Sequence, residues 1–464
     1  MTLTTFEVAM LMATIAIVVF TAQAVGNLFA RFRQPAVIGE ILAGLVCGPT
    51  VLGLLAPEVK QALFPQSGAV AAILAGLGQL GLLLLMFVTG SEIRVHSRPR
   101  DRRTIGLVST SGLVLPFVFG LAIVMAIDHQ DLTGPAGSRL TTALVFAIAV
   151  AVTSIPVISR IMLDLGLLRE SFARIVLSVA AIEDVVLYIV LAVVLSLANS
   201  PSSEFGLWAL TGIEDTAWSV GYHVTVTVLF LSAFLMWGTP LFRWLLHGPI
   251  GIVSRRGSAA YRLVLLLVAV LACILLGINA IFGALLTGLC ARRADEQALA
   301  RSAEGAAGEL PAAVRQRIDD GRRSWDVLRQ FSTAFFIPIY FFTVGLNLDL
   351  ARNLDLIFFT WFFLVCCLLK AVSVLVGALL AGQPMGRSID LSVALNARGG
   401  PGIVLATVTL SAGVVNESFF TSMVLLSVLT SLMAGFWLER RLSALRDEER
   451  DLKPADAPSV HLAR

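Results

Sequence analysis

Apolar runs of roughly 20 residues, each matching the hydrocarbon thickness of a bilayer, recur along this chain from end to end. Short polar segments separate them. Hydropathy predicts about thirteen transmembrane helices, near 6–30, 35–56, 69–93, 104–127, 139–162, 172–198, 218–246, 261–276, 277–290, 328–349, 355–381, 388–413 and 417–438. The first run, "FEVAMLMATIAIVVFTAQAVGNLFARFR", is too long for a cleaved signal and its basic residues follow it, so it reads as a span. The pattern is that of an all-α polytopic membrane protein.

Composition agrees. Of 464 residues, 57% are hydrophobic and 14% charged, where a soluble globular chain carries about a quarter charged; the mean hydropathy is +0.87. The net charge of +3 is concentrated in certain loops and indicates no nucleic-acid partner. Basic clusters fall on alternate connections, at 31–33, 94–103, 254–262, 292–329 and after 438, while "DHQD" and "SPSSEFG" are neutral or acidic. The positive-inside rule then predicts a cell-membrane protein with its N-terminus outside and its C-terminus cytoplasmic. The five cysteines lie in apolar runs without metal-ligand spacing and read as small core hydrophobes. The histidines read as solvated surface groups. No enzymatic role, cofactor or resident metal is expected.

The chain repeats itself. "GEILAGL" at 39–45 is echoed by "GALLTGL" at 283–289, and "LLMFVTGSEI" at 84–93 by "IYFFTVGLNL" at 339–348. The spans divide into a first repeat (about 6–198), a linker helix (218–246) and a second repeat (about 261–438). Matching elements lie an odd number of spans apart, so the two repeats have opposite orientations, as in many secondary transporters. Corresponding spans also carry corresponding interruptions. "AVTSIPVISR" places Thr153, Ser154 and Pro156 mid-span, and "LNARGGPGIVLA" places Arg398, Gly399, Gly400 and Pro401 mid-span. Two broken helices that cross near the midplane offer half-helix ends and free carbonyls to an ion; a simple proline kink is the alternative for either one alone.

Four charges inside apolar runs are costly there, at about 2.5–3.5 kcal/mol each on insertion scales. They are Glu183 and Asp184 in "VLSVAAIEDVVLYIVLAVVLSLA", Lys370 in "LVCCLLKAVSVLVG", and Arg398 in the second break. Adjacent helical residues point about 100° apart, so one acid is expected to line a central cavity and the other to meet a neighbouring helix or basic partner. The set marks an ion or proton pathway, unless it is only a structural ion pair. Glu40 and Glu92 are weaker candidates.

These residues resemble a known family. "QPAVIGEILAGLVCGPTVLG", "LGLLLLMFVTGSEI", the Thr-Ser-x-Pro break, the acid pair and "FFIPIYFFTVGL" are similar to the monovalent cation:proton antiporters, in the branch that includes bacterial sodium/proton antiporters and the glutathione-gated potassium efflux systems. The resemblance implies a thirteen-helix antiporter fold, two six-helix inverted repeats with crossed broken helices, and a homodimer whose core domain moves elevator-fashion. It implies that Asp184 is the essential ion- and proton-binding aspartate, preceded by Glu183, with Lys370 paired to the acids. Thr153, Ser154 and Pro156 match the first break, and Arg398 with Gly399 the second. Glu183 stands where relatives often have Asp, Asn or Gln. The nucleotide-binding domain of the potassium efflux systems is not expected after residue 440, where a short cytoplasmic tail (441–464) is expected, and 291–326 reads as a cytoplasmic loop with an amphipathic helix.

The expected function is exchange of Na⁺ or K⁺ for protons by alternating access, with cation and proton competing for a buried carboxylate. A sodium-coupled organic-solute symporter of related fold and a cation channel are the alternatives.

Overall fold

The computed structural model describes residues 4–32, 34–65, 67–92, 101–127, 130–155, 157–158, 162, 171–198, 207, 216–247, 254–304 and 312–443. Pro156 lies outside the described residues, as does the tail from 444. The first helices are α1 (Thr5–Arg31), α2 (Ala36–Cys47), α3 (Ala69–Glu92), α4 (Arg102–Ala126), α5 (Arg139–Ala151) and α6 (Ser171–Ala198). After them come α7 (Thr216–Ala233), which continues through a π turn to His247, α8 (Ser254–Leu276), α9 (Ala280–Glu304) and α10 (Ala312–Phe331). The last are α11 (Ile337–Leu346), α12 (Leu356–Leu380), α13 (Met385–Ala394), α14 (Gly399–Ser411) and α15 (Glu417–Arg440).

Among the described residues, eleven spans are long and apolar enough to cross a membrane, counting α10 with α11 as one and α13 with α14 as one. The other two of the thirteen expected spans are also helical. α5 is apolar but only 13 residues long, because the chain leaves the helix at Val152. α9 is apolar only in its first half. The segment 291–326, expected to carry an amphipathic helix, is helical where described: α9 runs on into it to Glu304 and α10 begins at Ala312. These polar helical ends are tied together where Asp295 Oδ2 accepts from Arg262 Nη2 (2.9 Å) and Trp325 Nε1 (2.7 Å), with Trp325 stacked on Phe87. Among the histidines, His223 departs from the surface reading. It is buried, against Gly277, because its place on α7 faces the α8–α9 turn.

Two groups of helices pack internally. One holds α1, α2, α3, α8, α9, α10 and α11; the other holds α4, α5, α6, α12, α13, α14 and α15; α7 rests against α6, and its continuation against α9. Contacts between the groups are sparse among the described residues. Within the first group the repeated motifs cross-pair. A methyl at Gly44 of α2 would collide with the Phe342 carbonyl of α11, and one at Gly345 of α11 with the Ile41 carbonyl of α2. The same reciprocal collision links Gly90 of α3 with Leu285 of α9, and Gly288 of α9 with Phe87 of α3. Small residues let backbones approach this closely.

Thr50 just past α2 bonds Leu348 just past α11, so those two helices end on the same face. The end of α3 meets α10 at the other face through Glu92 and Arg329, and α9 ends on that face too, beside Trp325 of α10. Thus α2 and its sequence counterpart α9 run in opposite directions, which is what inverted halves require. Gly44→Leu is expected to force these backbones apart at a cost of about 1–3 kcal/mol, read as a lower thermal-unfolding midpoint of the protein in detergent.

Candidate functional site

The breaks bring the second group of helices to a point. α5 ends at Ala151 and the chain is extended through Ser154 before helix resumes; α13 ends at Ala394 and α14 starts at Gly399. The two breaks touch. Thr153 Oγ1 lies 2.8 Å from the Leu395 carbonyl, and Gly399, with φ +38°, sits so close to Ser154 and Val157 that a side chain there would strike both. A positive φ and a close approach together call for glycine. Ser154 is fully buried, and its Oγ accepts only a long bond (3.4 Å) from the Val157 amide.

Ending α5 inside the bilayer leaves carbonyls without helical partners. Two cations satisfy them. Arg398 donates to the carbonyls of Ala149 (3.0 Å), Val150 (3.0 Å) and Cys366 (2.9 Å) and to Asn396. Lys370 of α12 donates to the carbonyls of Ala151 (2.7 Å) and of Gly112 in α4 (2.8 Å). Positive charge at a helix C-terminus complements the macrodipole. Among the described residues Arg398 makes no salt bridge with a carboxylate; it is a backbone clamp.

The third Lys370 proton goes to Glu183 Oε2 at 2.8 Å, in an ion pair with no solvent exposure on either side. The same oxygen lies 2.7 Å from Thr153 Oγ1. All three ammonium donors are therefore used. Glu183 Oε1 is buried without a partner among the described residues, beside Gly112 of α4, where a methyl group would come within 2.7 Å of it.

Asp184 is different. It is 1% exposed, and neither of its carboxyl oxygens has a hydrogen-bond partner among the described residues. It lines a cavity of about 10 Å³ with Leu187, Tyr188 and Leu191 from its own helix and Pro401 and Leu405 from α14. Residues i, i+3, i+4 and i+7 of a helix share a face, so α6 presents Asp184, Leu187, Tyr188 and Leu191 together. Gly400 and Pro401 are buried in the first turn of α14.

The structure thus gathers Glu183, Thr153, Lys370 and the α5 carbonyls into one cluster, with Asp184 beside it on the cavity side. Elsewhere, Glu40 is buried in α2 against Gly26 of α1, with Oε2 unpartnered, and Glu92 pairs with Arg329 at 3.3 Å. Both belong to the first group of helices. The sequence reading did not single out the carbonyls of Gly112, Ala151 and Leu395, or Tyr188. No group of His, Cys, Asp and Glu suited to a resident metal occurs among the described residues.

A helical bundle that holds a buried, unpartnered carboxylate beside two interrupted, touching helices has the architecture of a secondary transporter. Residues 14–444 match the family described as "Sodium/hydrogen exchanger, transmembrane", and the chain belongs to it. It is 25% identical over 435 residues to the Na⁺/H⁺ antiporter NhaS4 of Synechocystis sp., covering 92% of this chain and 95% of that one. It is 23% identical to the Na⁺/H⁺-K⁺ antiporter GerN of Bacillus cereus, covering 90% and 93%. With K⁺/H⁺ antiporter 1 of Saccharomyces cerevisiae it shares 25% identity over 87% of its own length, spanning 43% of that protein. The fold is that of the sodium proton antiporter MjNhaP1 from Methanocaldococcus jannaschii, with a TM-score of 0.62 at 14% identity, over 95% of this chain and 99% of that one.

Proposed function

We propose that this protein exchanges a monovalent cation, Na⁺ or K⁺, for protons by alternating access, and that cation and proton compete for Asp184. The observation that carries this reading is the contrast between the two adjacent acids. Glu183 is engaged by Lys370 and Thr153, whereas Asp184 is fully buried and neither of its oxygens has a hydrogen-bond partner among the described residues. A lone buried carboxylate is unstable as a bare anion. It is neutralised either by a proton or by a cation, and only the neutralised site crosses the membrane at low cost.

The ligands available to a cation at Asp184 are oxygens: its carboxylate, carbonyls at the breaks, the Ser154 hydroxyl and water. Hard monovalent ions take such donors. Thr153, proposed from the sequence as a ligand, serves here chiefly to hold Glu183 against the second break. Lys370 and Arg398 brace the broken end of α5, so that Asp184 keeps its place while the second group of helices moves against the first. The sparse contact between the groups supports that motion, and the cross-paired motifs support the two-repeat organisation. An organic solute finds no room beside Asp184, where the cavity holds about 10 Å³.

The family resemblance and the loop charges support a homodimer in the cell membrane, with the ends of α2, α4, α6, α11 and α14 on the outer face and the C-terminus cytoplasmic. The function is tested with purified protein in liposomes that trap a pH dye under an imposed pH gradient. Addition of Na⁺, K⁺ or Li⁺ is expected to drive proton movement; folded protein that moves no protons with any of the three overturns the assignment.

A further inference from the structure

The cavity at Asp184 does not stand alone. A second cavity, of about 180 Å³, opens between the two groups of helices and is lined by Gln79, Tyr340, Thr343, Asn347, Thr407 and Ser411 among others. Its polar lining is uncharged and rich in oxygen. It lies toward the face on which α11 and α14 end, since Asn347 and Ser411 are at or just past those ends.

The two cavities draw on the same stretch of α14. Helix α14 supplies Leu405 to the small one and Thr407 to the large one. Helix α3 supplies Leu82 to the large one, and Met86, one turn further on, receives the hydroxyl of Tyr188 at 3.9 Å from its sulfur. Tyr188 forms a wall of the Asp184 cavity, and Tyr340 a wall of the large one. Both rings are buried.

Each ring also bridges the two groups of helices. Tyr188 belongs to α6 in the second group and reaches Met86 in the first; Tyr340 belongs to α11 in the first group and bonds Thr407 Oγ1 in the second at 3.2 Å. Relative motion of the groups therefore breaks both contacts.

We propose that Tyr188 and Tyr340 form the gate between Asp184 and a polar vestibule, and that the vestibule receives the hydrated monovalent cation before it reaches the carboxylate. This rests on the function proposed above for Asp184. Neutral oxygens of Gln79, Thr343, Asn347 and Thr407 replace part of the hydration shell without binding so tightly that the ion is held. The rings keep Asp184 away from water while the groups are in the contact seen here. Two tyrosines suit this position because each offers a bulky apolar ring with one polar tip that takes a weak, reversible partner across the boundary.

The test does not need exchange activity, so its failure is separable from failure of the Asp184 assignment. Leu187→Cys places a thiol in the Asp184 cavity, and Thr343→Cys places one in the vestibule. A small membrane-impermeant thiol reagent is applied to proteoliposomes from each face in turn, and modification is quantified at each peptide by mass spectrometry. With both tyrosines present, the thiol at 343 is modified quickly from the vestibule face and that at 187 slowly. Tyr340→Ala is expected to raise the rate at 187 by about tenfold or more from that face only, by shifting the open population, and to leave the rate at 343 unchanged. Tyr188→Ala is expected to do the same, so that poor folding of one variant leaves the other to decide. An unchanged rate at 187, or an equal rise from both faces, overturns the gate.

Discussion

Asp184→Asn is expected to abolish cation-driven proton movement while leaving a folded protein. The two side chains are nearly the same size, and among the described residues Asp184 makes no hydrogen bond that the amide would lose. An amide buried there still costs something for its own unpaired donors, but it replaces a group that was itself unpaired. The stability change is therefore small, whereas the functional change is complete: an amide neither takes up a proton near neutral pH nor carries the charge that balances a cation. Size-exclusion behaviour and the unfolding midpoint should stay near those of the natural protein while proton flux falls to the level of empty liposomes. Retained exchange would remove Asp184 from the mechanism.

The second large effect concerns Lys370. Lys370→Met removes the partner of a fully buried carboxylate and uncaps the carbonyls of Ala151 and Gly112. Breaking a buried pair by deleting one member costs about 3–5 kcal/mol, because the remaining charge is uncompensated. The double replacement Lys370→Met with Glu183→Gln removes both members of the pair and leaves neither charge uncompensated, so it should regain most of the lost stability. The check is the thermal-unfolding midpoint in detergent of the natural protein and the two variants. If Glu183→Gln adds nothing in the Lys370→Met background, the pair is not the source of the loss. Arg398 cannot stand in for the lysine, since its donors are already committed to Ala149, Val150, Cys366 and Asn396.

Much of the fold was legible because a bilayer asks for long apolar helices, and hydropathy reads these directly. The breaks at 152–154 and 395–398 were visible as Ser/Thr, Gly and Pro in the middle of apolar runs. An amphipathic helix was expected in 291–326, but hydropathy gave it no bounds. The second half of α9 and most of α10 are polar and amphipathic, and the contacts that order them, such as Asp295 with Arg262 and Trp325, join residues about 30 apart in sequence. His223 was misread because hydropathy places the helix but not the face that is turned inward.

At the site, the angle between neighbouring helical positions separates Glu183 from Asp184 without saying which of them meets Lys370. That choice depends on the packing of α12 against α4 and α5, between residues 187 apart. Backbone acceptors such as the carbonyls of Gly112 and Ala151 leave no mark in a sequence. Tyr188 was readable in principle, being one turn on from Asp184. Its meaning came only from the cavity that the two residues share.

The central claim is that one carboxylate serves both ions in turn, and the half-saturating cation concentration as a function of pH tests it most directly. Proton flux is measured in proteoliposomes across a range of cation concentrations at each pH. Competition at one site predicts that the half-saturating concentration rises about tenfold per pH unit on the acid side, by mass action, while the maximal rate reached at saturating cation is preserved. A half-saturating concentration that stays constant with pH while the maximal rate falls would mean separate sites for cation and proton, and would contradict the account.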